Sequence, residues 1–299
     1  SWISLKPKLI MKMWLKFWQS YPNLNALKLH YRQYSDSGAP LLVLHGLFGS
    51  LSNWSWHCKQ LAQHFAVIGV DLRNHGSSPH DSGFNYPVMA QDVLQLLDDL
   101  NIGSCHLLGH SMGGKVAMEL ALTAPAKVER LVVVDIAPVS YPKQAEGHMQ
   151  VIAGMKALEL DGLDSRAKAE AFLRRYIDDE PTRKFVLTNL IRNLRGSYCW
   201  RLNLSAIEKD YDALRDMPEH NSAFQKPTLF VKGAESAYIQ SKHRERTLAY
   251  FPRSNVKIIK GAGHWLHADK PQVFQKIIMD FLTAQDCATD SSLAVEKMQ

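Results

Sequence analysis

From Leu27 onward, apolar and polar positions follow a regular order. LKLHYRQY alternates apolar and polar residues, which sends successive side chains to opposite faces and predicts an edge strand. After the Ser-Gly-Ala-Pro turn, LLVLH is a short unbroken apolar run, the pattern of a strand buried on both faces. Trp54 to His64 has helical spacing and AVIGVDL is a second buried strand. Pro87 suits the first turn of a helix whose apolar face carries Val88, Val93, Leu94, Leu96, Leu97 and Leu100. CHLLGH and RLVVVDI then read as strands on either side of a helical stretch from Gly114 to Leu122.

Beyond Asp135 this rhythm breaks. AEGHMQVIAGMKALEL, SRAKAEAFLRRYI and TRKFVLTNLIRNL all have helical spacing, and no strand is expected among them. The strands resume with TLFVK and NVKIIK, each followed by a helix, near Ser241 to Tyr250 and from Pro271 to about Ala284. Strands alternating with helices predict an α/β fold, a mostly parallel sheet flanked by helices, with functional groups at the carboxyl ends of the strands. The helical insertion emerges at that edge and would form a cap over it. The expected division is an extension at 1–22, a body at 23–139 and 226–285, a cap at 140–225 and a tail at 286–299.

Composition narrows the class. A hydrophobic fraction of 46% and a charged fraction of 21% over 299 residues describe an ordinary globular protein able to bury a large core. The net charge of +6 points toward nucleic acid only until its position is read. Lys6, Lys8, Lys12 and Lys16 lie in a leading segment without acids, and setting them aside leaves the body nearly neutral, so no nucleic-acid groove is expected. That segment, SWISLKPKLIMKMWLKFWQSYP, is interrupted by lysines too often for a signal peptide or a membrane span. Its aromatic and basic mixture is compatible with a surface-seeking amphipathic helix, but a peripheral extension is the preferred reading. The four cysteines, Cys58, Cys105, Cys199 and Cys287, have neither metal-ligand spacing nor the density of a disulfide framework, which suits a reducing cytoplasm.

The chemistry concentrates in three stretches. LLGHSMGG sets Gly109, Ser111 and Gly113 at G-x-S-x-G spacing, directly after a strand and before a helix. Such an elbow strains the backbone at the serine and projects its hydroxyl at a helix N-terminus, where the amide of Met112 can stabilise an oxyanion. HGLFG, at His45 to Gly49, ends an earlier buried strand and offers a second amide, from Leu47 or Phe48, with Leu47 preferred. His264, in GAGHWLHAD after the last strand, returns to the same edge as a candidate general base, with His267 as its competitor.

HGLFG, GHSMGG and GAGH, in this order and with a helical insertion between strands, resemble the α/β-hydrolase superfamily. HGLFGSLSNW, DLRNHGSSP, GHSMGGKVAM and VDIAP are similar to a group of small bacterial esterases of the YbfF type. The resemblance implies a serine esterase that cleaves short to medium acyl esters or acyl thioesters, without metal or organic cofactor. It also exposes a departure: the superfamily's acid usually stands at the last residue of a G-x-x-D pattern, here Gly233 to Ser236, where the chain has serine. Glu235, Asp269 and Asp135 are the available carboxylates. In the esterases that the chain resembles, the acid is displaced to the position of Asp135 and a serine at the usual acid site joins it, which carries over to Asp135 and Ser236.

Other readings stay open at this point: a cofactor-free haloperoxidase, a menaquinone-pathway lyase, or a non-catalytic binding protein on the same fold. Asp71 and His75 in DLRNHG are too few to make a metal site. Trp54, Trp200, Met149, Ile152 and Phe185 are expected as core or acyl-pocket wall. The lysines and arginines of the insertion are read as a solvated face, with a few available to a coenzyme A phosphate. The partner implied is a small ester or thioester; oligomeric state is not legible.

Overall fold

The computed structural model describes residues 26–142 and 147–284. The leading segment and the tail, expected to be peripheral, lie outside the described residues. In chain order the strands are β1 (Tyr31–Gln33), β2 (Ala39–Leu44), β3 (Phe65–Val70), β4 (Cys105–His110), β5 (Val128–Val134), β6 (Leu190–Arg192), β7 (Tyr198–Trp200), β8 (Thr228–Gly233) and β9 (Ser254–Ile259). Seven of them form one sheet in the order β1-β3-β2-β4-β5-β8-β9. Only β1 runs antiparallel to its neighbour; the other pairings in this sheet are parallel.

The period of two sorts the apolar residues onto two faces, as strand geometry demands. Leu42 and Leu44 of β2, Leu131 and Val133 of β5, and Phe230 of β8 share one core. Their chain neighbours Leu41, Val43, Val132, Val134, Leu229 and Val231 share the other. Helix α1 (Ser55–Leu61) places Cys58 and Leu61 in the second core. Helices α2 (Tyr86–Asp99) and α3 (Met112–Thr123) pack on the first. The Asn85 side chain caps α2 by accepting from the Val88 amide, with proline in the first turn where no donor is lost. Each fully buried leucine or valine in these layers contributes about 1.5–3 kcal/mol.

Between β5 and β8 lie α4 (His148–Ala157), α5 (Arg166–Leu173), α6 (Glu180–Leu187), α7 (Leu204–Lys209) and α8 (Tyr211–Arg215). They hold a small core of their own, with Leu158, Ala169, Leu173, Leu187 and Leu190. Val151, Ile152, Met155, Val186 and Ile207 join the sheet-side core, fixing the insertion to the body. The expectation of an all-helical insertion is corrected here. LIR and YCW pair antiparallel as β6 and β7, Ile191 opposite Cys199 and Leu190 opposite Trp200. The helix expected through Leu194 stops at Leu187 because the Asn189 side-chain amide donates to the carbonyls of Phe48 and Val186. Gly196, at φ +81°, then supplies the left-handed residue of the turn. After β8 come α9 (Arg244–Tyr250), α10 (Leu266–Asp269) and α11 (Pro271–Leu282), and α11 sends Phe274, Ile278 and Leu282 into the second core. Among the described residues no helix is long and apolar enough to cross a membrane.

Candidate active site

The carboxyl ends of β4, β5, β8 and β9 meet at one edge, and four side chains converge there. Ser111 sits between β4 and α3 at φ +53°, ψ −119°, backbone that a residue with a side chain adopts only at a cost of about 1–3 kcal/mol. The turn is tight enough that a Cβ on Gly113 would lie 2.4 Å from the His45 carbonyl oxygen, so the last position of the motif has room for hydrogen alone. Ser111 Oγ lies 3.0 Å from His264 Nε2, and His264 Nδ1 lies 2.7 Å from Asp135 Oδ2. Asp135 is fully buried, itself at φ +52°, and its amide donates to the Val231 carbonyl, which locks it to the neighbouring strand.

Both oxygens of the displaced carboxylate are engaged. Gly233 N–H donates to Oδ1 at 3.2 Å, while the Ser236 hydroxyl and His264 converge on Oδ2. Gly233 also sets the approach of the next loop. A Cβ there would stand 2.1 Å from the Gly263 carbonyl oxygen, so only glycine lets the loop carrying His264 close on the end of β8. Glu235 and Asp269 are exposed, and Asp269 accepts from the Gly263 amide at 2.9 Å, shaping the histidine's loop from outside. The structure therefore brings Ser111, His264, Asp135 and Ser236 together and leaves both other carboxylates out.

The two amides near the serine are separated by a detail of the HGLFG turn. Phe48 N–H donates to His75 Nε2 at 3.2 Å and is thereby engaged, and Met112 is the first residue of α3. His75 and Asp71 are structural: His75 Nδ1 donates to the Arg73 carbonyl, and the Asp71 carboxylate accepts from the Leu51 and Ser77 amides. No cluster able to hold a metal occurs among the described residues. His264, not His267, is bonded to the serine hydroxyl; the His267 ring stacks on Trp54 at 4.2 Å.

Two further residues touch His264. The His110 ring, 4.8 Å away, donates through Nε2 to the His264 carbonyl at 2.9 Å, and the Tyr238 ring stacks on the imidazole at 4.1 Å and 27°. Above them lies a cavity of about 660 Å³, bordered by Trp54, Val151, Tyr176, Phe185 and Trp265. Of the apolar insertion residues singled out in the sequence, Phe185 borders it, Ile152 is fully buried in the core, and Trp200 donates to the Met155 carbonyl.

Around the site, burial holds the histidines neutral: His45 down at about 4, His75 and His267 at about 3, and His110 well below its ordinary value. In the unfolded chain these rings titrate near 6.5, so below that pH the unfolded state binds protons that the folded state refuses. Their stabilising effect is complete above about pH 6.5 and is lost as pH falls toward 4. The His45, His75 and His267 rings should each cost on the order of 1–2 kcal/mol at pH 5, and thermal unfolding followed by circular dichroism should show a lower Tm at pH 5 than at pH 7.5. An unchanged Tm would contradict this.

A family model described as the alpha/beta hydrolase fold matches residues 39–271. The chain is similar to the sn-1-specific diacylglycerol lipase ABHD11 of Xenopus tropicalis, 43% identical over 85% of this chain and 82% of the lipase. It is similar to the esterase YbfF of Escherichia coli strain K12, 35% identical over 86% of this chain and 99% of the esterase. A solved structure of a marine microorganism esterase superposes with a TM-score of 0.83 at 37% identity, covering 85% of this chain and 99% of that one. The chain belongs to the α/β-hydrolase fold family, and within it to the carboxylic-ester hydrolases.

Proposed function

We propose that ester hydrolysis proceeds through an acyl-enzyme on Ser111. The reading is carried by the unbroken hydrogen-bonded path from Ser111 Oγ through His264 to Asp135, at 3.0 and 2.7 Å, at the foot of the cavity. His264 Nε2 accepts the serine proton as Oγ bonds to the acyl carbon; the carbonyl oxygen becomes an oxyanion held by the Leu47 and Met112 amides. Asp135 keeps Nδ1 protonated and stabilises the imidazolium, which then gives its proton to the departing alcohol or thiol as the C–O or C–S bond breaks. Water repeats the cycle: His264 takes one proton, hydroxide oxygen adds to the acyl carbon, and Ser111 leaves with the proton returned. Short to medium acyl esters, with acyl thioesters as a second class, are the proposed substrates.

Residues 140–225 act as the cap of this site, over a body formed by 23–139 and 226–285. A reducing compartment such as the cytoplasm is the proposed location, in keeping with the free thiols of Cys58, Cys105 and Cys199. Ser236 is an auxiliary member of the relay, neutral and therefore unable to replace the charge of Asp135. Ser236→Ala should lower kcat by roughly tenfold to a hundredfold, the worth of a hydrogen bond to a charged group. The mechanism is tested by stopped-flow hydrolysis of p-nitrophenyl acetate. A burst of p-nitrophenol near one equivalent, or partition of a common acyl intermediate to added alcohols, is expected; a product ratio that changes with the leaving group would sink it.

A further inference from the structure

When His264 takes the serine proton, a positive charge appears on a ring that carries none at rest. Asp135 meets that charge at the edge of the ring, through Nδ1. The face of the ring has a different neighbour. The Tyr238 ring lies on the imidazole with centroids 4.1 Å apart and an interplanar angle of 27°. The π face of a phenol ring is partially negative, so it attracts a cation held over it within about 6 Å, and attracts the uncharged imidazole less. A contact that strengthens only as the imidazolium forms lowers the barrier without deepening the resting state.

The backbone that carries this ring is fixed on both sides. Tyr238 N–H donates to Ser236 Oγ at 3.3 Å, and the same hydroxyl donates to Asp135. The Tyr238 carbonyl accepts from the Tyr141 hydroxyl at 2.6 Å, which itself accepts at 2.9 Å from the amide of Ala137, just past Asp135 in the chain. Lys232 Nζ donates to the Ser236 carbonyl at 2.7 Å and tightens the same loop. The segments that carry the acid therefore also set where the Tyr238 ring stands, so no reorganisation is needed when the charge forms. The histidines nearby do not oppose that charge. His110, its centroid 4.8 Å from that of His264, and His267 are both held neutral by burial, so neither sets a second cation against the imidazolium.

We propose that Tyr238 is a positioning residue of the relay, whose ring steadies the face of His264 and stabilises the imidazolium formed at each proton transfer. This rests on the esterase mechanism above. Tyr238 also borders the wide cavity, so contact with the substrate is the competing role, and KM tells the two apart. The test compares Tyr238→Phe with ring-fluorinated phenylalanines at the same position, carrying one, two and three fluorines, in hydrolysis of p-nitrophenyl acetate. Fluorine withdraws charge from the π face while nearly keeping the ring's shape, so a purely structural role predicts no trend. The expected kcat falls stepwise along the series, by roughly fivefold or more in all, with KM within about twofold and melting curves unchanged. Tyr238→Leu, which removes the ring, should lower kcat by roughly threefold to thirtyfold. A kcat that stays within about twofold across the series, or a change confined to KM, overturns the inference. Labelling of Ser111 by an organophosphate in the wild-type preparation separates the two levels: label with a flat series overturns the role of Tyr238 alone, and absence of label overturns the mechanism beneath it.

Discussion

Ser111→Ala is expected to lower kcat for ester hydrolysis by roughly ten-thousandfold to a millionfold, while the protein remains folded. Alanine keeps the Cβ that already occupies the left-handed φ of +53°, so the elbow's strain is unchanged and thermal unfolding should stay close to that of the wild type. Only the hydroxyl 3.0 Å from His264 Nε2 is lost. The Leu47 and Met112 amides remain, so residual catalysis above water is expected. Measurement of kcat with p-nitrophenyl acetate, beside a melting curve, checks both parts; a kcat within tenfold of wild type would remove Ser111 from the chemistry.

The second large effect concerns the displaced acid. Asp135→Asn should lower kcat by roughly ten-thousandfold with little change in KM. Asparagine is close to isosteric and can still hold the Gly233 amide, but it loses the charge that stabilises imidazolium, and its amide group can favour the wrong imidazole tautomer. Glu235→Gln, at an exposed position on the adjacent loop, is expected to stay within about twofold of wild type. The opposite pattern, Asp135→Asn active and Glu235→Gln dead, would return the acid to the β8 loop.

Much of this arrangement is legible in the sequence because it depends on local rules. The unbroken apolar runs of β2 to β5, and the glycines around Ser111, report burial on both faces and a turn with no room for side chains. The missing carboxylate at Ser236 directs attention to Asp135 because β5 and β8 are neighbours in a parallel sheet, and their register places Val134 beside Val231 at the same edge. What sequence left open was decided by contacts between distant segments. That the Phe48 amide is engaged follows from His75, which accepts it from another loop, and this supports the reading of Leu47 as the second donor. His110 and Tyr238 gave no signal of their own, since His110 meets the His264 carbonyl only after the sheet has assembled, and Tyr238 reaches the imidazole through the fold of the β8 loop. The β6–β7 hairpin was hidden because its three-residue strands are too short to repeat the period of two, and because Asn189 ends the preceding helix through a carbonyl of the HGLFG turn.

The central claim is that the Ser111 hydroxyl, activated by His264, is the nucleophile. Reaction of the purified protein with a fluorophosphonate, followed by peptide mass spectrometry, tests it most directly. The account predicts one phosphonyl adduct per chain, located on Ser111, forming in step with loss of esterase activity and slowed by at least about a hundredfold in Asp135→Asn. Full inactivation with the adduct on another residue, or retained activity after Ser111 is modified, would contradict it.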